Sequence, residues 1–256
     1  MIVGLLVMDL LWAAGLIGLT TLSALAALHV HAAMPGALGL ALALAAFALT
    51  WIAITTLALL LIPKPAPGQY RMMRGAAFYY WSLAFIARRW LDLPPLGTLY
   101  RQSSVLRFLV LRAAGAKIAF GAQMSSDATL LDPGLLTMGE GAMLGSQSTV
   151  AGHFIVGDRL VLAPVVIEAG AQVALGVVIG PGAFIGARAL VEGRANIAPE
   201  AHIGAGAVVG ATAMVGRGAR IGAGAKVAMG AIVPAFTTVP DGARFPAVDP
   251  VRAQAE

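Results

Sequence analysis

From Ile167 to Val233 an Ile or Val occupies every sixth residue without exception: Ile167, Val173, Ile179, Ile185, Val191, Ile197, Ile203, Val209, Val215, Ile221, Val227 and Val233. That period belongs neither to an α-helix nor to an ordinary strand, whose side chains repeat after about 3.6 and 2 residues. Four residues beyond each of the first eleven stands an alanine, with Val177 the sole departure. A branched side chain followed by a small one, repeated by six, predicts a parallel β-helix of triangular section with one hexad per wall. The branched residue points inward, the alanine packs near the corner, and coils stacked roughly 4.8 Å apart pair their backbones.

The register starts earlier, at Ile118, Met124 and Leu130, and slips by two residues at Asp132-Pro133-Gly134. It resumes at Met138, Leu144, Val150, Val156 and Leu162, then loses one residue before Ile167. A monotonous prism carries a site most readily where its register breaks and a loop bulges outward, so these slips draw attention.

The hydrophobic fraction of 59% and the mean hydropathy of +0.85 exceed a soluble average. Residues 1–62 contain a single formal charge, Asp9. Two apolar runs, 1–28 and 37–62, are each long enough to cross roughly 30 Å of hydrocarbon, so residues 1–62 are expected to form a two-helix transmembrane hairpin. Their connection holds His29 and His31 but no Lys or Arg, which places both ends of the hairpin in the cytoplasm. Asp9 then lies near the cytoplasmic end, where it hydrates. The expected location is the inner membrane, multi-pass, with the β-helix on its cytoplasmic side.

Residues 63–112 hold eight Lys/Arg against Asp92, whereas residues 113–256 balance nine bases with ten acids. The positive excess therefore borders the apolar segments, which points to anionic lipid and away from nucleic acid. Pro63, Pro65 and Pro67 end the second apolar helix. The aromatic stretch from Phe78 to Trp90, flanked by Arg71, Arg74, Arg88 and Arg89, reads as a helix in the headgroup layer, with a third crossing as the alternative. Another helix is expected from about Ser103 to Ala114, stopped by Gly115. The β-helix is expected over 113–240 and a tail over 241–256. Cysteine is absent, which removes disulfides and thiolate ligands.

Few side chains in the repeat can act chemically. His153 stands beside Gly152 in the irregular region, and an imidazole suits proton abstraction near neutral pH. Asp127, Asp132, Glu140 and Asp158 lie near the irregular coils, and any of them could orient it. Glu168 and Glu192 follow branched residues and read as structural. His202 and Asn196 precede Ile203 and Ile197, at outward corner positions; three hexads per coil place His202 between Phe184 and Arg220, and Asn196 between Val178 and Met214. The outward Val178, Phe184, Leu190, Val208, Met214 and Ile232 predict burial against another subunit. Arg217, Arg220 and Lys226 in the late coils are candidates to meet the phosphates of an anionic cofactor. The histidines are too few and too far apart for a zinc site, so no metal is expected.

Residues 113–245 resemble the hexapeptide-repeat acyltransferases, whose tandem [Leu/Ile/Val]-[Gly/Ala/Glu/Asp]-x-x-[small]-x units wind a left-handed β-helix. Within that superfamily four motifs look most like the membrane-linked module of ε-polylysine-synthetase-type peptide synthetases. They are Gly115-Ala-Lys-Ile118, the stretch from Leu131 to Glu140, Ala151-Gly-His-Phe154, and the stretch from Val239 to Phe245. The resemblance implies a homotrimer with its active site between neighbouring prisms, acetyl-CoA or another acyl-CoA as co-substrate, and a histidine general base matched by His153. The expected function is then acyl transfer to a hydroxyl or amine of a membrane-associated or polymeric acceptor. A non-catalytic trimeric membrane scaffold or accessory subunit is the alternative.

Overall fold

The computed structural model describes residues 2–246. The chain divides into two compact units, residues 1–65 with 70–115, and residues 66–69 with 116–256.

The first unit is helical. Helix α1 spans Ile2–Ala33 and α2 spans Ala37–Leu61, packed against one another. Helix α1 continues through His29 and His31, so these two residues end a helix where the sequence suggested a loop. Three shorter helices follow: α3 (Gly75–Leu91), α4 (Leu96–Gln102) and α5 (Ser104–Ala113). All three pack on α2, around a core of Ile52, Leu59, Ala87, Leu91, Tyr100 and Val110. Helix α5 has the start expected of it: Ser103 Oγ accepts the Leu106 N–H at 3.3 Å. Gly115, at φ 98°, ends it. Leu10, Leu25, Leu44 and Leu61 are more than half exposed, so α1 and α2 present apolar surface outward along their length.

The second unit is the parallel β-helix that the sixfold register predicts. Its short strands form three walls, with seven, seven and six strands among the described residues. Wall A runs through Ile118, Met138, Ile167, Ile185, Ile203, Ile221 and Val239. Wall B runs through Met124, Leu144, Val173, Val191, Val209, Val227 and Phe245. Wall C carries Leu130, Val150, Ile179, Ile197, Val215 and Val233. Ile179, Ile185, Ile197 and Ile203 are completely buried, and so are Ala183, Ala189, Ala195 and Ala201. Wall B extends to Arg244–Phe245, past the expected end at 240, and residues 247–256 of the expected tail lie outside the described residues.

Two sequence readings are corrected. Val156 and Leu162 fall on the sixfold grid, yet neither belongs to a wall: residues 151–164 leave the prism as an antiparallel hairpin, His153–Val156 paired with Arg159–Leu162. Val156 is 57% exposed as a result. The residue before each branched position, such as His202, lies on the outer face of a wall strand and not at a corner. Corners fall three residues beyond the branched position, where φ turns positive, as at Glu200, Thr212 and Phe236.

Interior packing of this kind makes one central residue costly to trim. Ile197→Ala is expected to lower stability by about 2–5 kcal/mol, since the neighbouring coils cannot collapse into the void. Thermal unfolding followed by circular dichroism should show a lower midpoint than that of wild type, whereas an unchanged midpoint would contradict the continuous core.

Candidate functional site

Both irregularities of the repeat occur at the same corner, where wall C hands over to wall A. The first, in the first coil, is the two-residue slip, which forms a short 3-10 turn at Pro133–Leu135. The second, one coil later, is the hairpin. A regular coil is eighteen residues, and the slip lengthens this one to twenty, so Asp132 comes to lie under Gly152 and His153. Asp132 Oδ2 accepts the Gly152 N–H at 2.9 Å and faces His153 Nδ1 at 2.6 Å. The carboxylate side chain is 6% exposed and the imidazole 18%. A short, largely buried contact of this kind fixes the ring's orientation, and in a neutral imidazole it selects the tautomer in which Nδ1–H donates to the carboxylate and the lone pair is on Nε2.

Of the four acids that the sequence offered as partners for His153, the fold selects Asp132. Asp127 instead accepts from Ser125 Oγ and Ser146 Oγ, each at 2.5 Å, and these hydrogen bonds hold its carboxyl down at about 2. Glu140 Oε2 accepts the Gly121 N–H at 3.4 Å, and Asp158 lies in the hairpin turn. Glu168 and Glu192 have structural roles: each accepts a corner N–H of the next coil, that of Ala187 or Ala211, at 2.9 Å.

The hairpin turn is two residues, Gly157 and Asp158, with Gly157 at φ 58°. Glycine in the first central position, at a φ other residues rarely adopt, is what a type II′ turn between twisted strands requires. On one strand of the hairpin Leu160 and Leu162 are buried; on the other Phe154 lies under the Arg217 guanidinium, 5.8 Å from Cζ to the ring centre. Arg217 also holds Glu200, with Nη2 to Oε1 at 2.9 Å and Nε to Oε2 at 3.3 Å. The residue beside His153 is thus braced against later coils.

The three candidate phosphate ligands do not converge. Arg217 stands at the C-to-A corner in its ion pair, Arg220 on wall A and Lys226 on wall B. His202 lies between Phe184 and Arg220 as expected, and its ring stacks on Phe184 with centres 4.5 Å apart. Asn196 lies between Val178 and Met214. An open groove of about 440 Å³ lies on wall B among Gln123, Ser125, Met143, Gln172 and Leu190, apart from His153. Among the described residues no three His, Asp or Glu side chains are grouped as metal ligands would be.

Residues 200–235 match the family model described as the hexapeptide repeat of succinyl-transferase. No curated protein matches the chain. Among solved structures, a hexapeptide transferase family protein from Anaplasma phagocytophilum is similar at 19% identity and TM-score 0.42, over 50% of this chain and 74% of that one. PerB from Caulobacter crescentus, solved with CoA and GDP-perosamine, matches at 22% identity and TM-score 0.34; the matched region covers 57% of this chain and 58% of that one. UDP-N-acetylglucosamine O-acyltransferase from Moraxella catarrhalis matches at 12% identity and TM-score 0.32, over 51% of this chain and 65% of that one.

Asp127 gives a pH test of the neighbouring corner of the same coil, where wall B hands over to wall C. Its carboxyl is depressed relative to the ordinary value near 4, so its contribution to stability is present above that value and disappears as pH falls toward 2. Asp127→Asn should therefore lower the melting temperature at pH 7, with the difference shrinking as pH falls and vanishing below pH 2. A gap that persists unchanged across this range would show that the two serine contacts are not what holds the carboxylate.

Proposed function

We propose that the protein is an acyltransferase that moves an acyl group, most simply acetyl, from CoA to a hydroxyl or amine, with His153 as general base. The observation that carries this reading is the Asp132–His153 pair, buried at the one corner where the repeat is broken twice. The sixfold register and the hexapeptide-repeat match over 200–235 support the same class. The motif likeness to the module of ε-polylysine-synthetase-type enzymes supports an acceptor worked on at a membrane.

In this mechanism Nε2 removes the proton from the acceptor as its oxygen or nitrogen attacks the thioester carbonyl. The carbon–sulfur bond breaks, and the CoA thiolate takes the proton back from the imidazolium. Asp132 does not itself change protonation; it holds the ring in register and stabilises its transient charge. Arg217, Arg220 and Lys226 occupy separate faces of one prism, so any joint hold on CoA phosphates would draw on more than one subunit.

Two further features belong to the proposal. Helices α1 and α2 are 32 and 25 residues long, contain long apolar windows, and bury only 11% and 22% of those windows, so we read them as the membrane anchor. With that anchor, the basic strip after α2 supports a β-helix on the cytoplasmic side. Val178, Met214 and Ile232 are exposed along one column of wall C, which supports association of prisms into a trimer.

The test is label transfer from radiolabelled acetyl-CoA in membranes containing the full-length protein. His153→Ala should reduce transfer by roughly 10²- to 10⁴-fold, and Asp132→Asn by a smaller factor. Equal transfer by wild type and His153→Ala would sink the catalytic role. A scaffold would give neither label transfer nor heat on titration with acetyl-CoA.

A further inference from the structure

The hairpin that bears His153 has a third strand. Gly68 and Gln69 lie beside Arg159–Leu162, which pairs with His153–Val156. Gly68 and Gln69 belong to the β-helix unit, and at the hairpin's turn Arg159 Nη1 donates to Gln69 Oε1 at 3.4 Å. Gln69 follows Leu61, the last residue of α2, by only eight positions. Eight residues reach at most roughly 28 Å, and Pro63, Pro65 and Pro67 stiffen them into an extended run that cannot loop out further. The hairpin's turn is therefore leashed to the end of an apolar helix by a short, semi-rigid strap.

The same end of the hairpin is uncovered, with apolar strand residues beside a turn of Gly157 and Asp158. Ile155 is 53% exposed and Val156 57%, next to the cationic Arg159. A strand tip with two exposed branched side chains and the opposite charges of Asp158 and Arg159 at its turn, tethered by this strap to a helix end that leaves the bilayer, matches an interfacial surface, with the branched side chains at the headgroup–acyl boundary.

We infer that the tip of the hairpin is a bilayer-contacting lip, with Ile155 and Val156 in the headgroup layer, and that the acceptor is a membrane-resident amphiphile instead of a soluble molecule or polymer. The inference rests on the anchor and transferase readings above. Val156 and His153 are three residues apart on one strand, roughly 10 Å. That is about the depth of a polar headgroup. An acceptor whose chains stay in the bilayer can then raise a headgroup hydroxyl or amine to the imidazole.

The chain contains no cysteine, so single-cysteine variants can be labelled cleanly. Ile155→Cys, Leu44→Cys in α2 and Met229→Cys on a late coil, each carrying an environment-sensitive fluorophore, would be placed in liposomes of neutral and anionic phospholipid as full-length protein. Spin-labelled lipids quench at headgroup or acyl depth, and iodide quenches from water. The expected result is headgroup quenching at 155 at least twofold above that at 229, acyl-depth quenching at 44, and iodide access at 229. Acyl-depth quenching at 44 with 155 behaving like 229 overturns the lip and leaves the anchor standing. Iodide access at 44 removes the anchor, and the lip with it.

The acceptor class is read from the label-transfer experiment by solvent partition. Label that depends on His153 and extracts into organic solvent supports a membrane-resident acceptor. Label that depends on His153 but stays in the aqueous or insoluble polymer fraction overturns it. Absence of label that depends on His153 defeats the transferase reading itself.

Discussion

The structure depends on one repeated act of burial: a branched side chain turned inward on each wall and stacked on its counterpart one coil away. Ile167, Ile185, Ile203 and Ile221 form such a column on wall A, all but invisible to solvent. The backbone follows, because each wall strand then hydrogen-bonds to the next coil, as from the Gly186 N–H to the Ile203 carbonyl at 2.8 Å. Both kinds of contact demand the same coil length. A change of even one residue inside a wall would exchange its buried and exposed faces, so the only tolerant places are the corners.

That intolerance explains where the proposed site sits. The chain departs from eighteen residues twice, both times where wall C meets wall A, and the departures are stacked. The first lengthens its coil by two residues and tilts Asp132 beneath the second. The second extrudes a hairpin whose first residue is His153. Neither alone would build a site: a lone histidine on an outward loop is solvated, and a lone buried carboxylate is costly without donors. Together they bury a carboxylate with two partners and lock an imidazole. The Arg217–Glu200 pair and the ring of Phe154 then tie the hairpin to coils that have no irregularity of their own.

The walls were legible because hydrophobic burial writes a period into the sequence, and Ile167 to Val233 obeys it residue by residue. The hairpin was harder to see because Val156 and Leu162 happen to continue that period while serving another fold. The competing signal was present: the stretch from Phe154 to Leu162 is an apolar run folded about Gly157 and Asp158, which is hairpin chemistry. His153 could be singled out by residue type and by its place in an irregular stretch. Its partner could not, since choosing Asp132 over Asp127, Glu140 and Asp158 requires the coil length and the slip to be combined in three dimensions. The failure of Arg217, Arg220 and Lys226 to converge has the same origin: close in sequence, they are dealt to different faces by a three-walled coil. The outward residues fall on strand faces and not at corners: a sixfold count fixes spacing but not phase relative to the turns.

The location of the site near the start of the stack also follows from one-dimensional packing. A coil in the middle is held from both sides, whereas the first coil has one neighbour, so its corner is the easiest part of the prism to deform and the least expensive to rebuild around a buried charge. Asp132, in that first coil, compensates by reaching across to the second, where its carboxylate meets the Gly152 N–H as Glu168 meets the Ala187 N–H and Glu192 the Ala211 N–H in regular coils. The group that orients the imidazole is therefore also the staple that closes the broken corner. Stability and, in the proposed mechanism, orientation of the base are borne by the same oxygen atom, so the register is given up here without loss of the fold.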